Sequence, residues 1–268
     1  MSINAKYPSL KGFSALVTGG VSGLGRVLSD TLLDNGMTLF VADVDTENGL
    51  AAEVEYKSKG FDYRFIKTDL SNNSSVDDLI KTIGREAHSL KVLVNNARPK
   101  LDRRSLPESL EKFDFEMQIM LKTPILLMTA FEKLRMKNEA ASIINISSTN
   151  SMLISDQGLS YHVAKAALNQ ATRYFSNYYS GNLIRVNTIS PGIIDFVHSE
   201  NKNLTNEFDS LTRSAVPLSR GAKPIEIANA VTFLASDDSS YITGENILVD
   251  GGFSIGDRFS ALAHFIRK

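Results

Sequence analysis

The sequence alternates between short apolar runs rich in β-branched residues and longer amphipathic segments. The apolar runs cover residues 13–19, 38–43, 63–69, 91–97, 142–148, 184–190 and 246–252. Most of them are continuously apolar, which is typical of parallel strands that are buried on both faces. The alternation as a whole is the pattern of repeated βαβ units, so it predicts an α/β fold with a parallel sheet.

The amphipathic segments between these runs predict helices. They cover residues 24–35, 46–59, 73–88, 107–137, 157–180 and 224–235. Gly36 and Gly60 follow the first two segments directly, at the position where a left-handed residue commonly ends a helix. Pro124 is expected to delimit or kink the longest segment, because proline lacks the N–H group that continues a helix.

A chain of 268 residues is long enough for one large domain or two small ones. No Pro-, Gly- or Ser-rich linker and no internal repeat divides it. We therefore expect a single Rossmann-like, doubly wound domain over residues 1–268, with a seven-stranded parallel sheet flanked by helices. Residues 12–253 form its expected core, and residues 254–268 form a C-terminal extension.

Composition excludes several classes of function. The chain carries 29 Lys and Arg against 30 Asp and Glu, so its net charge of −1 favours neither nucleic acid nor an anionic membrane as a partner. No apolar run approaches the ~20 residues that span a bilayer. The absence of cysteine excludes disulfides and thiol nucleophiles, and the four histidines have no metal-ligand spacing. We expect a cytoplasmic protein without a metal site that acts on a small-molecule substrate.

The first apolar run ends in the first two residues of T-G-G-V-S-G-L-G (18–25), which leads into a helix. Glycines at 19, 23 and 25 allow a sharp turn, and they let a pyrophosphate approach the backbone at the helix N-terminus. Ser22 and Leu24 lie within the same turn. Because the turn has the expected strand before it and helix after it, we predict that Gly19, Ser22, Gly23, Leu24 and Gly25 bind a dinucleotide.

Asp43 ends the second apolar run, 18 residues after Gly25. A carboxylate at this place accepts hydrogen bonds from ribose hydroxyls and repels the 2′-phosphate of NADP. Ser22 supplies no positive charge for that phosphate either. We therefore predict that the cofactor is NAD. The alternative is that Asp43 only begins the turn before the next helix.

Tyr161 and Lys165 are four residues apart in a helical stretch, so their side chains share one helix face. A neighbouring ammonium group lowers the pKa of a phenol, which makes Tyr161 a candidate general acid/base. Ser148 ends the fifth apolar run, at the sheet edge where ligands bind in such folds. We predict that Ser148, Tyr161 and Lys165 are catalytic and that the Ser148 hydroxyl also contacts the substrate.

These motifs together resemble the short-chain dehydrogenase/reductase family over residues 12–253. The matching elements also include N-N-A at 95–97 and N-T-I-S-P-G at 187–192. The resemblance implies that Asp69 and Leu70 flank the adenine and that Lys165, beside Tyr161, bonds the nicotinamide ribose. It implies further cofactor contacts from Asn96, Ala97, Pro191, Gly192 and Ile194. It also implies that Asn95 supports the central sheet and that the protein is a homo-oligomer, a dimer or tetramer.

Three positions differ from the usual family pattern. Arg98 stands where the family's N-N-A-G motif has glycine, Met120 replaces the asparagine that often completes a catalytic tetrad, and Phe196 replaces a threonine. Without that asparagine, another group or solvent must serve the usual proton relay.

Arg98 opens the cationic segment R-P-K-L-D-R-R beside the predicted site. Guanidinium groups bind phosphate and carboxylate well, so Arg98 is a predicted substrate-binding residue. The other cations of the segment are more simply explained as a solvent-exposed loop. Residues 195–215 are predicted to form a lid, from which Phe196 and His198 are expected to contact the substrate.

The expected function is that of an NAD-dependent oxidoreductase that interconverts a secondary alcohol and a ketone. Arg98 favours a polar or anionic substrate such as a sugar, sugar phosphate or nucleotide sugar, and the sequence is similar to bacterial members associated with surface-glycan biosynthesis. One alternative is a 3-oxoacyl-thioester reductase, which Asp43 disfavours because it opposes NADPH. The other is a non-catalytic dinucleotide-binding sensor or assembly protein, for which Met120 is the only support.

Overall fold

A parallel β-sheet forms the centre of the computed structural model, which describes residues 7–99, 109–195 and 210–256. Its strand order is β3-β2-β1-β4-β5-β6-β7, and every neighbouring pair is parallel. The strands are β1 (Ser14–Thr18), β2 (Thr38–Asp43), β3 (Tyr63–Lys67), β4 (Leu90–Asn95), β5 (Ala141–Ile146), β6 (Ile184–Pro191) and β7 (Asn246–Val249). This topology confirms the predicted doubly wound α/β fold.

Helices cover both faces of the sheet. They are α1 (Gly23–Asp34), α2 (Thr46–Ser58), α3 (Asn73–Glu86), α4 (Leu110–Met117), α5 (Thr123–Leu134), α6 (Leu159–Tyr178) and α7 (Pro224–Ala235). Residues 210–215 are also helical. Gly36 and Gly60 lie just beyond α1 and α2 with φ of +78° and +82°, as the sequence predicted.

Two apolar cores result from this layering, one on each face of the sheet. Side chains of α1, α2 and α7 pack into the first core, and side chains of α3, α5 and α6 pack into the second. Strand β1 contributes to both, because Ala15 and Val17 face the first core while Leu16 faces the second. Burial on both faces explains why the strand sequences are continuously apolar.

The predicted helix over residues 107–137 is wrong in one respect. A π-helical turn at Gln118–Lys122 separates α4 from α5, and Pro124 lies in the first turn of α5. Because Pro124 has no N–H, it cannot bond the carbonyl of Met120 four residues earlier, and an uninterrupted α-helix is not possible there. Pro124 therefore marks the boundary between α4 and α5, as predicted. The π-helical turn at that boundary was not predicted from the sequence pattern.

The fifth strand is shorter than its apolar run. It ends at Ile146, and a 3₁₀ turn at Thr149–Ser151 follows. Ser148 is therefore not the last strand residue, as the sequence suggested, but the residue that begins this turn. Its Oγ accepts a hydrogen bond from the Asn150 N–H at 3.1 Å, and this bond ends the strand conformation.

Polar side chains cross the second core between the middle strands and α6. Asn95 donates through Nδ2 to Asn145 Oδ1 at 2.8 Å, and Asn145 donates to Thr172 Oγ1 at 2.8 Å. Thr172 in turn lies 2.7 Å from Thr188 Oγ1. All four side chains are buried, so these bonds connect β4, β5, α6 and β6 in the interior.

Within the described residues, no helix is both long enough and apolar enough to cross a membrane.

Candidate active site

The glycine turn after β1 is shaped by close backbone contacts. A Cβ atom on Gly25 would lie 1.8 Å from the Gly19 carbonyl oxygen, and one on Gly19 would lie 2.8 Å from Ala97 Cα. Gly23 has φ of +52° and faces open space. Ser22 precedes α1 without capping it through its side chain, so the first-turn N–H groups of α1 have no side-chain acceptor from Ser22. The turn thus has the room and the donors that a pyrophosphate needs.

Asn96 and Ala97 hold this turn in place from the end of β4. Asn96 Nδ2 donates to the carbonyls of Thr18 and Gly19 at 3.0 and 2.9 Å. The backbone N–H groups of Asn96 and Ala97 both donate to Thr18 Oγ1 at 3.1 Å. Thr18 is a site residue that sequence reasoning missed, although a small hydroxyl residue directly before the glycines was a visible signal.

Asp43 lies at the end of β2 beside the same turn. Its Oδ2 faces the Val21 N–H at 3.4 Å, and its Oδ1 accepts from the Asp45 N–H at 3.1 Å. The cap of α2 is Asp45, whose Oδ1 accepts from the Asn48 N–H at 3.1 Å. Asp43 therefore supports the local turn, as the alternative interpretation held, but it does so while half-buried against the glycine turn.

Asp69 and Leu70 follow β3 at the other side of this sheet edge. Asp69 accepts from the N–H and hydroxyl of Ser71 at 2.9 and 2.6 Å, while the buried Leu70 accepts from Thr123 Oγ1 at 2.7 Å through its carbonyl. A cavity of about 450 Å³ opens here between β3 and α3, and Asp69 lines it. Neither Tyr161 nor Lys165 lines that cavity.

Lys165 is the best-fixed member of the predicted catalytic trio. Its side chain is 3% exposed, and its Nζ donates to the Ile146 carbonyl at 2.7 Å. Ser147 Oγ donates to the Lys165 carbonyl at 3.1 Å, so α6 is docked on the end of β5 from both directions. The Tyr161 ring centroid lies 5.8 Å from Lys165 Nζ. The fold therefore brings the tyrosine, the lysine and the strand end that leads to Ser148 together.

The electrostatics of this pocket follow from burial and from Arg98. Burial first, and the positive charge of Arg98 second, lower the pKa of Lys165 to about 7. Arg98 itself is exposed, just beyond β4.

The loop that carries Ser148 is hydrogen-bonded to α6 at two places. Ser151 Oγ donates to the Ser148 carbonyl at 2.7 Å and accepts from Asn169 Nδ2 at 2.9 Å. Further along, the Ser155 N–H donates to His162 Nε2 at 3.1 Å. The position of the Ser148 hydroxyl is thus set relative to α6 by hydrogen bonds on both sides of the loop.

Pro191, Gly192 and Ile194 lie at and beyond the end of β6. The Gly192 N–H donates to the Val249 carbonyl at 3.1 Å, and Ile194 forms a parallel bridge with Ala222. A Cβ on Gly192 would lie 2.7 Å from Asp250 Cβ. Asp250 accepts from the Gly252 N–H and from Ser254, so a compact turn closes this end of the sheet.

Comparison with known proteins identifies the family. The family described as Enoyl-(Acyl carrier protein) reductase matches residues 19–254. An uncharacterized oxidoreductase of Thermotoga maritima is 30% identical over 249 residues, covering 92% of this chain and 97% of its own. The chain belongs to the short-chain dehydrogenase/reductase family. The predicted family is therefore confirmed.

Other relatives support the same assignment. A 3-oxoacyl-[acyl-carrier-protein] reductase of Vibrio harveyi is 33% identical, covering 91% of this chain and 98% of its own. A solved double mutant of a Serratia marcescens short-chain dehydrogenase/reductase superposes with a TM-score of 0.81 at 25% identity, covering 92% and 99% of the two chains. The protein is thus an oxidoreductase of a family that binds a nicotinamide dinucleotide and acts on small molecules.

Met120 occupies the π-helical turn of this short-chain dehydrogenase/reductase, and its side chain is buried. It has no side-chain amide to offer a proton relay. Pro124 also has no N–H group with which to bond the Met120 carbonyl in α-helical register.

Several sequence predictions fall on residues outside the described ranges. They are Phe196 and His198 of the predicted lid, Lys100, Arg103 and Arg104 of the cationic segment, and the extension from residue 257 onward. Among the residues that are described, no group of three or more His, Asp or Glu side chains is arranged to hold a metal ion.

Proposed function

We propose that the protein is an NAD-dependent dehydrogenase or reductase that interconverts a secondary alcohol and a ketone on a polar or anionic substrate. The observation that supports this most directly is the buried Lys165 beside Tyr161, bonded to the carbonyl of Ile146. Keeping an amine in an apolar interior costs free energy. A lysine that controls proton transfer by a phenol must lie beside it, as Lys165 does beside Tyr161.

The residues around the glycine turn fit the cofactor. Gly23 leaves open space, the N-terminus of α1 offers donors to a pyrophosphate, and Asp43, beside this turn, would accept from ribose hydroxyls. Asp69 and Leu70 would hold the adenine end, while Pro191, Gly192 and Ile194 would line the nicotinamide end. When bound, the nicotinamide supplies or accepts the hydride. The carboxylate of Asp43 favours NAD over NADP.

Tyr161 is the proposed proton donor and acceptor, acting through its Oη. The positive charge of Lys165 stabilises the phenolate and so lowers the barrier to proton transfer. Ser148 Oγ already accepts the Asn150 N–H, which leaves its own O–H to donate to the reacting oxygen of the substrate. The Met120 carbonyl is the proposed acceptor for the relay that an asparagine side chain serves elsewhere in the family.

Arg98 is the proposed recognition group for the substrate. It is exposed just beyond β4, its charge lowers the pKa of Lys165, and a guanidinium binds a phosphate or carboxylate through two donors. Sugar phosphates and nucleotide sugars, including those of surface-glycan biosynthesis, belong to this substrate class. Phe196 and His198 remain predicted contacts from outside the described residues.

A 3-oxoacyl-thioester reductase is the second candidate. The relative from Vibrio harveyi that bears this activity in its name is 33% identical to the chain. Asp43 argues against it, because the carboxylate would repel the 2′-phosphate of NADPH. A sensor without activity is the least supported alternative, since Ser148, Tyr161 and Lys165 are all retained.

A homo-oligomer is proposed as the working form, as a dimer or tetramer. Large apolar or aromatic side chains are exposed on neighbouring helices of one face: Phe115 on α4, Leu126 on α5, and the stacked pair Tyr174 and Tyr178 on α6. Covering such side chains is a common reason for self-association. Light scattering on the purified protein gives the state directly. A cytoplasmic location stays a prediction from composition.

Hydride transfer by the wild type and by Tyr161→Phe tests the proposed activity. With NAD(H), NADP(H) and a panel of sugar, sugar-phosphate, nucleotide-sugar and 3-oxoacyl-thioester substrates, the variant is expected to lose roughly 10²–10⁴-fold in kcat. Cofactor affinity should remain, because the phenyl ring still fills the site. Tyr241→Phe, at a fully exposed tyrosine outside α6, is the matched control. Turnover that survives in Tyr161→Phe would contradict the proposal.

A further inference from the structure

Glu116 is the one residue of α4 that is fully buried, with 4% exposure. A carboxyl group in such a position is costly unless a donor satisfies it. Among the described residues, no basic side chain forms an ion pair with it. Its Oε2 instead accepts a hydrogen bond from the hydroxyl of Ser160, which is itself entirely buried.

Ser160 is the second residue of α6 and directly precedes Tyr161. Gly158 is the N-cap of that helix and has no side chain with which to cap it. The start of a helix has unpaired N–H groups, and helix ends fray more readily than the middle. The contact with Glu116 ties this end of α6 to α4, in addition to the bonds of His162 with Ser155 and Gly158.

Tyr161 and Lys165 are anchored unequally along α6. Lys165 is buried in the second turn and bonded to Ile146, whereas Tyr161 lies in the first turn and is half-buried. The preceding loop exposes Met152 and Ile154 to solvent. If the first turn opened, Tyr161 would move while Lys165 stayed in place, and the pair would lose its alignment.

We propose that Glu116 is a positioning residue which, through the hydroxyl of Ser160, holds the first turn of α6 so that Tyr161 stays aligned with Lys165 and Ser148. The effect of Glu116 on catalysis rests on the proposed dehydrogenase function. Its effect on the first turn of α6 does not. The carboxyl group acts as a hydrogen-bond acceptor, so glutamine at the same position retains the role and alanine removes it.

Hydrogen–deuterium exchange of the unliganded full-length protein tests the structural step without any substrate. Glu116→Ala and Ser160→Ala are each expected to speed amide exchange in residues 162–165, whose N–H groups form the first backbone bonds of α6, by about tenfold, while Glu116→Gln stays close to wild type. Glu111→Gln on the exposed part of α4 and Ser176→Ala at the far end of α6 are the matched controls. Unchanged exchange in both alanine variants would overturn the proposal, whatever the activity of the enzyme.

Steady-state kinetics test the catalytic step. Glu116→Ala and Ser160→Ala should each lower kcat by about tenfold with little change in the KM for NAD, and the double variant should be no worse than the poorer single one. Glu116→Gln should recover at least half of kcat. Additive losses, or equal losses of kcat and of cofactor affinity, would contradict positioning. A wild type without any hydride transfer would refute the proposed function while leaving the exchange result to decide the role of Glu116.

Discussion

The two ends of the site are built in different ways. At the nucleotide end, the backbone contacts of the glycine turn are so close that a methyl group added to Gly19 or Gly25 has no room. At the proton-transfer end, side chains reach between separate elements, from Lys165 to Ile146 and from Ser160 to Glu116. The nucleotide end is therefore specified by sterics and the proton-transfer end by hydrogen bonds and charge, so different substitutions should disable each.

Gly25→Ala should break the nucleotide end most severely. Its Cβ would meet the Gly19 carbonyl at 1.8 Å, so the turn must move away from the position in which it faces the cofactor. We expect NAD affinity, measured by isothermal titration calorimetry, to fall by roughly 100-fold or more. Gly84→Ala in α3 is the control, because its Cβ meets only the end of the Leu134 side chain at 3.4 Å. Unchanged affinity in Gly25→Ala would remove the steric argument.

Lys165→Met should show that the buried lysine at the proton-transfer end makes the stability of the folded protein depend on pH. The pKa of Lys165 is lowered to about 7, so the unfolded chain binds a proton that the folded protein lacks between that pH and the ordinary lysine pKa near ~10.4. The free energy of unfolding of the wild type therefore rises as the pH increases above 7. This increase is lost when the pH falls through 7. The stability of the variant relative to wild type should drop by roughly 2 kcal/mol between pH 6 and pH 9.

Urea unfolding at the two pH values measures this difference. The exposed Lys133→Met on α5 is the matched control. A difference between Lys165→Met and wild type that does not change with pH would contradict the lowered pKa.

Asp43→Ala tests whether the nucleotide end also contains one electrostatic determinant. Removing the carboxylate removes both the acceptor for ribose hydroxyls and the repulsion of a 2′-phosphate. The ratio of kcat/KM for NAD to that for NADP should fall roughly tenfold. Asp114→Ala on α4 provides the control for loss of an exposed carboxylate. If the ratio of kcat/KM for NAD to that for NADP did not change, Asp43 would only support the turn after β2 and would not select the cofactor.

Arg98→Ala should have the smallest effect and the most specific one. The KM for an anionic substrate should rise roughly fivefold, while the KM for a neutral alcohol stays the same. Removing this positive charge should also raise the pKa of Lys165 and move the pH profile of kcat to higher pH. Arg64→Ala on β3 is the matched control. Equal effects on neutral and anionic substrates would exclude Arg98 as the recognition group.

The sequence predicted the sheet and the glycine turn well because both depend on local patterns. Strand β2 and helix α7 have the bounds that were expected, since β-branched runs and an N-terminal proline mark them directly. The π-helical turn and the contact between Glu116 and Ser160 were not predicted, because they depend on contacts between distant segments. One signal was available: Glu116 lies four residues before Met120, on the stripe of the helix that the core buries.

The buried bonds from Asn95 through Asn145 and Thr172 to Thr188 have a consequence for folding. Their four residues are spread over nearly a hundred positions of the chain, and the full set of bonds between them is complete only when β4, β5, α6 and β6 have all docked. A helix α6 that docked one turn out of place would leave amide and hydroxyl groups stranded in hydrocarbon. Misregistered intermediates are therefore penalised, and the alignment of Tyr161 and Lys165 is selected while the chain folds, before any ligand is present.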